Sequence, residues 1–353
     1  MENNLTEEKI VEALRQVVDP EQKKDLITLG VIQNIQIDGS AVTLTLALNT
    51  PACSQKREIT DAARSAVHAV PGVEKVQIET ASNPAGPNAL PAKEPIPNVK
   101  NTIAVASGKG GVGKSTVAVN LAMALAKSGA RVGILDTDLY GPSVPMMMGV
   151  KKPLTATENQ RLIPVEGYGV KLVSVGFMLD DETPLIWRGP MIMQMIKQFL
   201  TEVDWEGLDY LIIDLPPGTG DTQLTLVQTI PLTGAVIVTT PQDVALIDAR
   251  RAINMFKKVD VPIIGLIENM SSFKCPHCGE STEIFSHGGA EKTSERYQVP
   301  ILGNIPIDIK IREGGDAGKP VVIAEPTSPQ TEAFIAISQN VASTVANLNM
   351  TDE

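Results

Sequence analysis

Gly108-Lys109-Gly110-Gly111-Val112-Gly113-Lys114-Ser115 is the stretch on which the rest of this chain turns. It follows a short apolar run, Ile103–Ala106, and opens a segment in which Val117, Leu121 and Leu125 recur at helical spacing. An apolar strand, a turn of pattern G-x-x-x-x-G-K-[ST] and a helix together form an arrangement that cradles nucleotide phosphates. The glycines let backbone N–H groups turn inward around phosphate with no Cβ in the way. The helix N-terminus adds partial positive charge. Lys114 can reach the β- and γ-phosphates, and the Ser115 hydroxyl can ligate Mg²⁺. Gly108, Lys109, Gly110, Gly111, Val112, Gly113, Lys114, Ser115 and the following Thr116 are therefore the expected nucleotide-binding residues.

The same strand signature recurs downstream. Apolar runs without alternation lie at Val132–Leu135, Leu172–Val175, Tyr210–Ile213, Ala235–Val238 and Ile263–Ile267, with helical patterns in most of the gaps. Continuous apolar strands are those buried on both faces, so the pattern predicts a doubly wound, mainly parallel α/β sheet. Ligands of such sheets collect at the carboxyl ends of the strands. Acids stand at two of those ends: Asp136-Thr137-Asp138, and Asp214 in the run LIIDLPPGTGD. Asp214 can hold Mg²⁺ through its water shell, and Pro216, Pro217 and Gly218 form a stiff turn able to sense a γ-phosphate. A lone strand-end aspartate serves equally well as a helix cap. Three acids beside a phosphate-binding loop favour catalysis.

A second, smaller unit precedes this one. Residues 82–98, SNPAGPNALPAKEPIPN, carry five prolines and no amphipathic period, which reads as an interdomain linker. It divides an N-terminal α+β domain, 1–81, from the nucleotide-binding domain, 99–353. In the small domain Thr6 can cap a helix bearing Ile10, Ala13, Leu14 and Val17, ended by Asp19-Pro20. Two alternating runs, Val31–Ile37 and Val42–Leu48, flank Asp38-Gly39, a hairpin signal. A helix with Ile59, Ala62, Ala63 and Ala66 and a strand at Val73–Ile78 complete it.

Composition narrows the partners. The 353 residues hold 30 basic and 41 acidic side chains, a net charge of −11, which opposes a broad footprint on nucleic acid or anionic lipid. The start, MENNLTEEKI, lacks the apolar core of a signal peptide, and no apolar run is long enough to span a membrane. Three cysteines cannot supply a disulfide framework, so the expected address is the cytoplasm.

Two of those cysteines form Cys275-Pro276-His277-Cys278-Gly279. Thiolates at this spacing on a tight turn can grip one soft metal centre, and each chain then offers half of a four-thiolate site. Three completions compete: an iron–sulfur cluster shared by two chains, Zn²⁺ with His277 or His287 and a further ligand, or a redox dithiol. The third cysteine, Cys53 in TPACS, precedes a predicted helix. It reads as a buried small residue or as a reactive thiol. His68 reads as packing or surface. Seven of the twelve methionines fall within 146–195, which suits either core filling or an adaptable docking face.

Taken together the motifs carry a resemblance. KGGVGKS resembles the deviant Walker A loop of the nitrogenase iron protein and MinD group of ATPases. The order phosphate loop, LDTDLYGPSVP, WRGPMI, DLPPGTGD, IENMS, CPHCG resembles the Mrp/ApbC group of iron–sulfur cluster carriers, from about residue 98 to the C-terminus. The small domain, with DPE at 19–21, TPACS at 50–54 and PGVEKV at 71–76, is similar to stand-alone iron–sulfur assembly domains.

The resemblance implies an ATPase whose catalytic residues are Lys109, Lys114, Asp138 and Asp214. Lys109 would act on the nucleotide of a second subunit in a homodimer, and Asp138 would orient the attacking water. Asp136 would lie near the Mg²⁺ held by Ser115 and Asp214. Asn269 would read the adenine edge, with Pro306 on the other wall of the base pocket. It also implies a [4Fe–4S] cluster bridging Cys275 and Cys278 of two subunits, with apoprotein clients, cluster donors, and no nucleic acid or membrane among the partners. The alternatives are a MinD/ParA-like positioning ATPase and a metabolic ATPase with a structural zinc. Residues 331–353 hold no Lys or Arg, which argues against a basic membrane-binding helix.

Overall fold

The computed structural model describes residues 5–17, 25–28, 32–48, 55–82, 94–139, 141–151, 154–157, 161–178, 189–275, 277–286 and 288–351. They fall into two compact units, 1–93 and 94–353.

The first unit runs α1 (Glu7–Leu14), β1 (Ile32–Asp38), β2 (Ala41–Leu48), α2 (Gln55–His68), β3 (Lys75–Ser82). β1 and β2 form the antiparallel hairpin that Asp38-Gly39 signals, with Asp38 facing Ala41 and Gly39 at φ +61°. β3 joins β2 in parallel. Ile10, Leu14, Leu44, Leu46, Ala63 and Val67 close the core beneath the sheet. Thr6 does occupy the cap position of α1, yet its hydroxyl makes no capping bond; its carbonyl accepts from Lys9 and Ile10 instead. Ala62, expected on the apolar face, is exposed, and Val67, which the spacing did not name, is in the core instead, while His68 lies at the surface. Asp19-Pro20, DPE and Cys53 lie outside the described residues.

The second unit is built around β4 (Val99–Ala106), followed by α3 (Lys114–Lys127) and β5 (Val132–Asp136). Next come α4 (Val144–Met147), a small β6 (Thr155–Ala156) and β7 (Leu162–Ile163) pair, β8 (Val165–Gly167) and β9 (Val170–Ser174). Then follow α5 (Gly189–Thr201), β10 (Leu208–Asp214), α6 (Asp221–Thr229), β11 (Gly234–Thr239) and α7 (Asp243–Lys258). β12 (Ile263–Lys274), β13 (Ser281–Thr282), α8 (Gly289–Tyr297) and β14 (Ile301–Ile307) lead to α9 (Ile309–Asp316), α10 (Val321–Ala324) and α11 (Pro329–Thr351).

The sheet order is β13-β12-β11-β4-β10-β5-β9-β8, with β14 also paired to β12. All pairs are parallel except the edge pairs β8·β9 and β12·β13. The fold is thus a mainly parallel, doubly wound α/β sheet. Each apolar run in the sequence became a strand because burial on both faces rewards an unbroken apolar segment. One layer packs α3, α10 and α11 against the sheet, and the other packs α5, α6 and α7. α3 is buried almost all round from Val117 to Leu125, beyond the single stripe its spacing predicts, because α10 and α11 cover its outer side. α11 spends its own apolar positions, Phe334, Ile337, Val341 and Val345, on this core. Among the described residues no helix is long and apolar enough to cross a membrane. The clustered methionines divide: Met148 and Met195 are core, whereas Met146, Met178 and Met191 are exposed.

Candidate functional site: a phosphate loop and a cysteine turn

β4 is central, with β11 on one side and β10 on the other. The chain leaves its carboxyl end through the glycine loop and enters α3 at Lys114. Gly111 and Gly113 sit at φ +83° and +82°, a left-handed conformation that only glycine adopts freely. Gly108 is required for another reason: a Cβ there would lie 2.1 Å from the Asp248 carbonyl oxygen of α7. The register of β10 against β5 sets Asp214 directly beside Asp136.

The charged groups meet around Lys114, whose side chain is 5% exposed. Its Nζ lies 2.7 Å from Asp214 Oδ1 and 3.6 Å from Asp138 Oδ2. The Ser115 hydroxyl donates to Asp214 Oδ2 at 2.6 Å. Thr137 Oγ1 donates to the Asp214 carbonyl at 2.8 Å, tying the two strand ends together. Burial pushes the Asp214 carboxyl above its ordinary range, and the adjacent Lys114 offsets part of that rise. Asp136 is fully buried. Its Oδ1 accepts the Asp138 N–H at 3.1 Å and its Oδ2 accepts the Ser174 hydroxyl at 2.9 Å. Burial first, and the charge of Asp214 second, raise Asp136 to about 7. A carboxyl so held supports the backbone of Asp138 from beneath.

A pocket of about 190 Å³ opens over this network, lined by Lys109, Gly110, Gly113, Lys114, Ser115 and Thr116 on one side and by Asp138 and Pro217 on another. Lys109 is exposed. Gly218 N–H donates to the Ser107 carbonyl at 3.0 Å, which holds the proline turn against the base of the loop. Ser143 and Met147, in and beside α4, also line the pocket, and sequence reasoning assigned neither. Ser143 lies within LDTDLYGPSVP and Met147 among the clustered methionines, so the signal was at hand. Ser174 was legible too, as the one polar residue in an apolar strand end. Asp136 is absent from the pocket wall. Asn269 and Pro306 lie on the paired strands β12 and β14, and Asn269 Nδ2 donates to the Val112 carbonyl at 2.8 Å. Oxygen donors at Ser115 and Asp214, poised 2.6 Å apart, suit a hard cation such as Mg²⁺.

The cysteines lie on a different kind of structure. β12 pairs with the short antiparallel β13, and the hairpin between them carries the pair. Cys275 N–H donates to the Glu280 carbonyl and Gly279 N–H to the Cys275 carbonyl, both at 2.9 Å. Gly279, at φ +75°, closes the turn. The Cys278 N–H, the His277 N–H and then the Cys278 thiol point at the Cys275 sulfur and lower its pKa. Both thiols are free, Cys278 exposed and Cys275 half-buried. The exposed His277 contributes its backbone, and His287 and Pro276 lie outside the described residues. Among the described residues no third His, Cys, Asp or Glu joins the pair to complete a metal site.

A glycine loop between a central parallel strand and its buried helix, with a strand-end acid bonded to the loop lysine and serine, defines a P-loop nucleoside triphosphatase. Residues 98–342 match the family described as NUBPL iron-transfer P-loop NTPase, and residues 7–80 match iron–sulfur cluster assembly protein. The chain belongs to this family of iron-transfer P-loop NTPases. It is 47% identical to an iron–sulfur cluster carrier protein of Synechocystis, covering 97% of this chain and 98% of that one. A carrier protein of the same description from Deinococcus radiodurans is 48% identical over 96% and 95% of the two chains. Among solved structures, an Archaeoglobus fulgidus nucleotide-binding protein in complex with ADP superposes with a TM-score of 0.59 at 40% identity, covering 67% of this chain and 93% of that one.

Proposed function

We propose that this chain is an ATP-dependent carrier that holds a [4Fe–4S] cluster between two copies of itself and hands it to apoproteins. The observation that carries this reading is a paired-thiol turn that lacks further ligands among the described residues, in the same unit as a complete phosphate loop. Two copies supply four thiolates, the number a cubane cluster requires. The lowered pKa of Cys275 favours the thiolate that iron binds. The cluster is cargo, and ATP serves as the switch that sets the pose of the two copies.

In hydrolysis Lys114 neutralises charge on the β- and γ-phosphate oxygens, and the backbone N–H groups of 110–115 hold them. Asp138, 3.6 Å from Lys114, orients the attacking water through its carboxylate. Ser115 and Asp214 would hold Mg²⁺, which supplies further charge neutralisation when bound. Lys109 is exposed at the pocket and free to reach the nucleotide of the second copy. Asn269 and Pro306 would bracket the adenine. Residues 1–81 would form a domain that receives clients or donors, joined by the linker 82–98 to the ATPase domain 99–353.

The test is anaerobic reconstitution of Cys275→Ala. Iron and sulfide are expected to fall to background in the variant while ATP still binds, and the unaltered chain is expected to run as a dimer. Full iron and sulfide content in the variant, or a complete cluster on a strict monomer, would overturn the reading. Zinc in place of iron after anaerobic purification would favour the structural-metal alternative.

A further inference from the structure

The nucleotide site and the cysteine turn are joined by one strand. β12 leaves the sheet interior at Ile263, passes the phosphate loop at Asn269, and delivers the chain into Cys275 six positions later. Six strand residues span about 20 Å at most.

Three features make this strand more than a tether. First, Asn269, 7% exposed, donates its side-chain amide to the Val112 carbonyl at 2.8 Å, so a strand side chain is bonded to the backbone of the phosphate loop. Second, the fit is tight: a Cβ on Gly113 would stand 2.3 Å from Asn269 Nδ2 and 3.9 Å from Met270 Cε. Third, Met270 lies at φ +59°, and the pairing of β12 with β14 shifts register between Asn269 and Phe273. A long apolar side chain in the left-handed region is held there by its surroundings, and such positions concentrate where a segment changes its state. Beyond the kink the strand is fastened again, by Ser271 Oγ donating to the Ile305 carbonyl at 3.2 Å.

We propose that Asn269 is a positioning residue that locks the kinked strand to the phosphate loop, so that nucleotide occupancy of the loop is read out at Cys275 and Cys278. Phosphate entering the loop draws in its N–H groups and turns the Val112–Gly113 peptide. The Asn269 amide is bonded to that peptide with no slack at Gly113, so it follows. Packed interfaces respond to sub-ångström shifts by moving between discrete arrangements, and the Met270 kink is the place where this strand can do so. The proposal rests on the carrier reading for its biological purpose, but its physical content concerns the metal-free chain.

The experiment uses metal-free full-length protein, alkylated with iodoacetamide and read at Cys275 and Cys278 by peptide mass spectrometry. Rates are compared without nucleotide, with saturating ADP and with a non-hydrolysable ATP analogue. Occupancy is checked by fluorescent-nucleotide displacement. In the unaltered chain nucleotide is expected to change the rates by about fivefold, the lower end of ordinary coupling. In Asn269→Asp, which keeps size but removes the donor to Val112, the ratio is expected to fall to about one at equal occupancy. Met270→Gly, which frees the kink without touching a hydrogen bond, is expected to do the same, and it decides the matter if Asn269→Asp cannot be saturated. A ratio of one in the unaltered chain, or an undiminished ratio in Met270→Gly, overturns the proposal. Failure of the chain to bind a cluster would sink the carrier reading while leaving a nucleotide-dependent thiol response as support for this one.

Discussion

The phosphate loop and the cysteine turn solve opposite problems. Around Lys114 a cation and three acids lie buried, and nearly every polar atom there already has a partner. Around Cys275 two backbone hydrogen bonds close the turn, yet the chemistry, two sulfurs, is left open. The first region resists change because a buried charge without its partner costs several kcal/mol. The difference teaches that one site is pre-organised within a chain, whereas the other, among the described residues, presents two thiols and no further metal-ligating group.

The sharpest break of that contrast is Lys114→Ala. Loss of the cation should lower ATP turnover by at least about a hundredfold. It should also destabilise the unit by about 3 kcal/mol, since Asp214 and Asp138 are left facing each other; steady-state hydrolysis and a urea midpoint check the two parts. Unchanged stability would mean that the carboxyls simply take up protons, and the buried network would be less constrained than its geometry says.

Glycine replacements sharpen the comparison next. Gly108→Ala forces a Cβ to 2.1 Å from backbone on α7 and should cost about 3 kcal/mol, at the upper end of overpacking. Gly279→Ala at φ +75° meets nothing closer than Lys274 Cε at 3.9 Å and should cost only the left-handed strain, about 1 kcal/mol. Paired thermal melts read both. Equal costs would erase the distinction between a packed loop and an open turn.

A smaller effect is expected within the turn. Three donors lower the pKa of Cys275, whereas Cys278 is the more exposed thiol. In the metal-free chain near neutral pH, Cys275 should be alkylated about threefold faster despite its poorer access, because the thiolate is the nucleophile. Preferential labelling of Cys278 would show that exposure outweighs those donors.

The smallest effect lies at the opposite end of the strands, where β10 begins. Asp209 accepts from the Arg131 side chain and backbone and from Lys100 at 2.9 Å, and these partners hold its carboxyl well below the usual 3.8. A depressed folded-state pKa means stability that is present above about pH 4 and lost as acid titrates the group below it. Asp209→Asn should remove about 1 kcal/mol or less at pH 7, since the cluster is solvent-screened, and nothing once the pH is low enough to protonate the native carboxyl. Urea midpoints across that range test the sign.

Much of this was legible in the chain. The phosphate loop is local, so its eight residues announce themselves, and every apolar run that predicted a sheet strand became one. β14 was harder, because Gly303 and Pro306 interrupt its pattern and only pairing with β12 makes it a strand. Asp136 was read as a neighbour of the metal; the fold buries it beside Asp214 and beneath Asp138, a detail that depends on Ser174 arriving from β9. The hydrogen bond of Asn269 to Val112 and the left-handed backbone of Met270 were likewise beyond any reading of spacing. Sequence by itself determined the nucleotide loop, the doubly wound sheet and the pairing of two thiols on one turn, because each follows from residues close together in the chain. Only the tertiary structure decided which carboxylate meets Lys114, and that Asn269 grips the phosphate loop 157 positions from Val112. Such contacts arise from strand order and register, which no local pattern encodes.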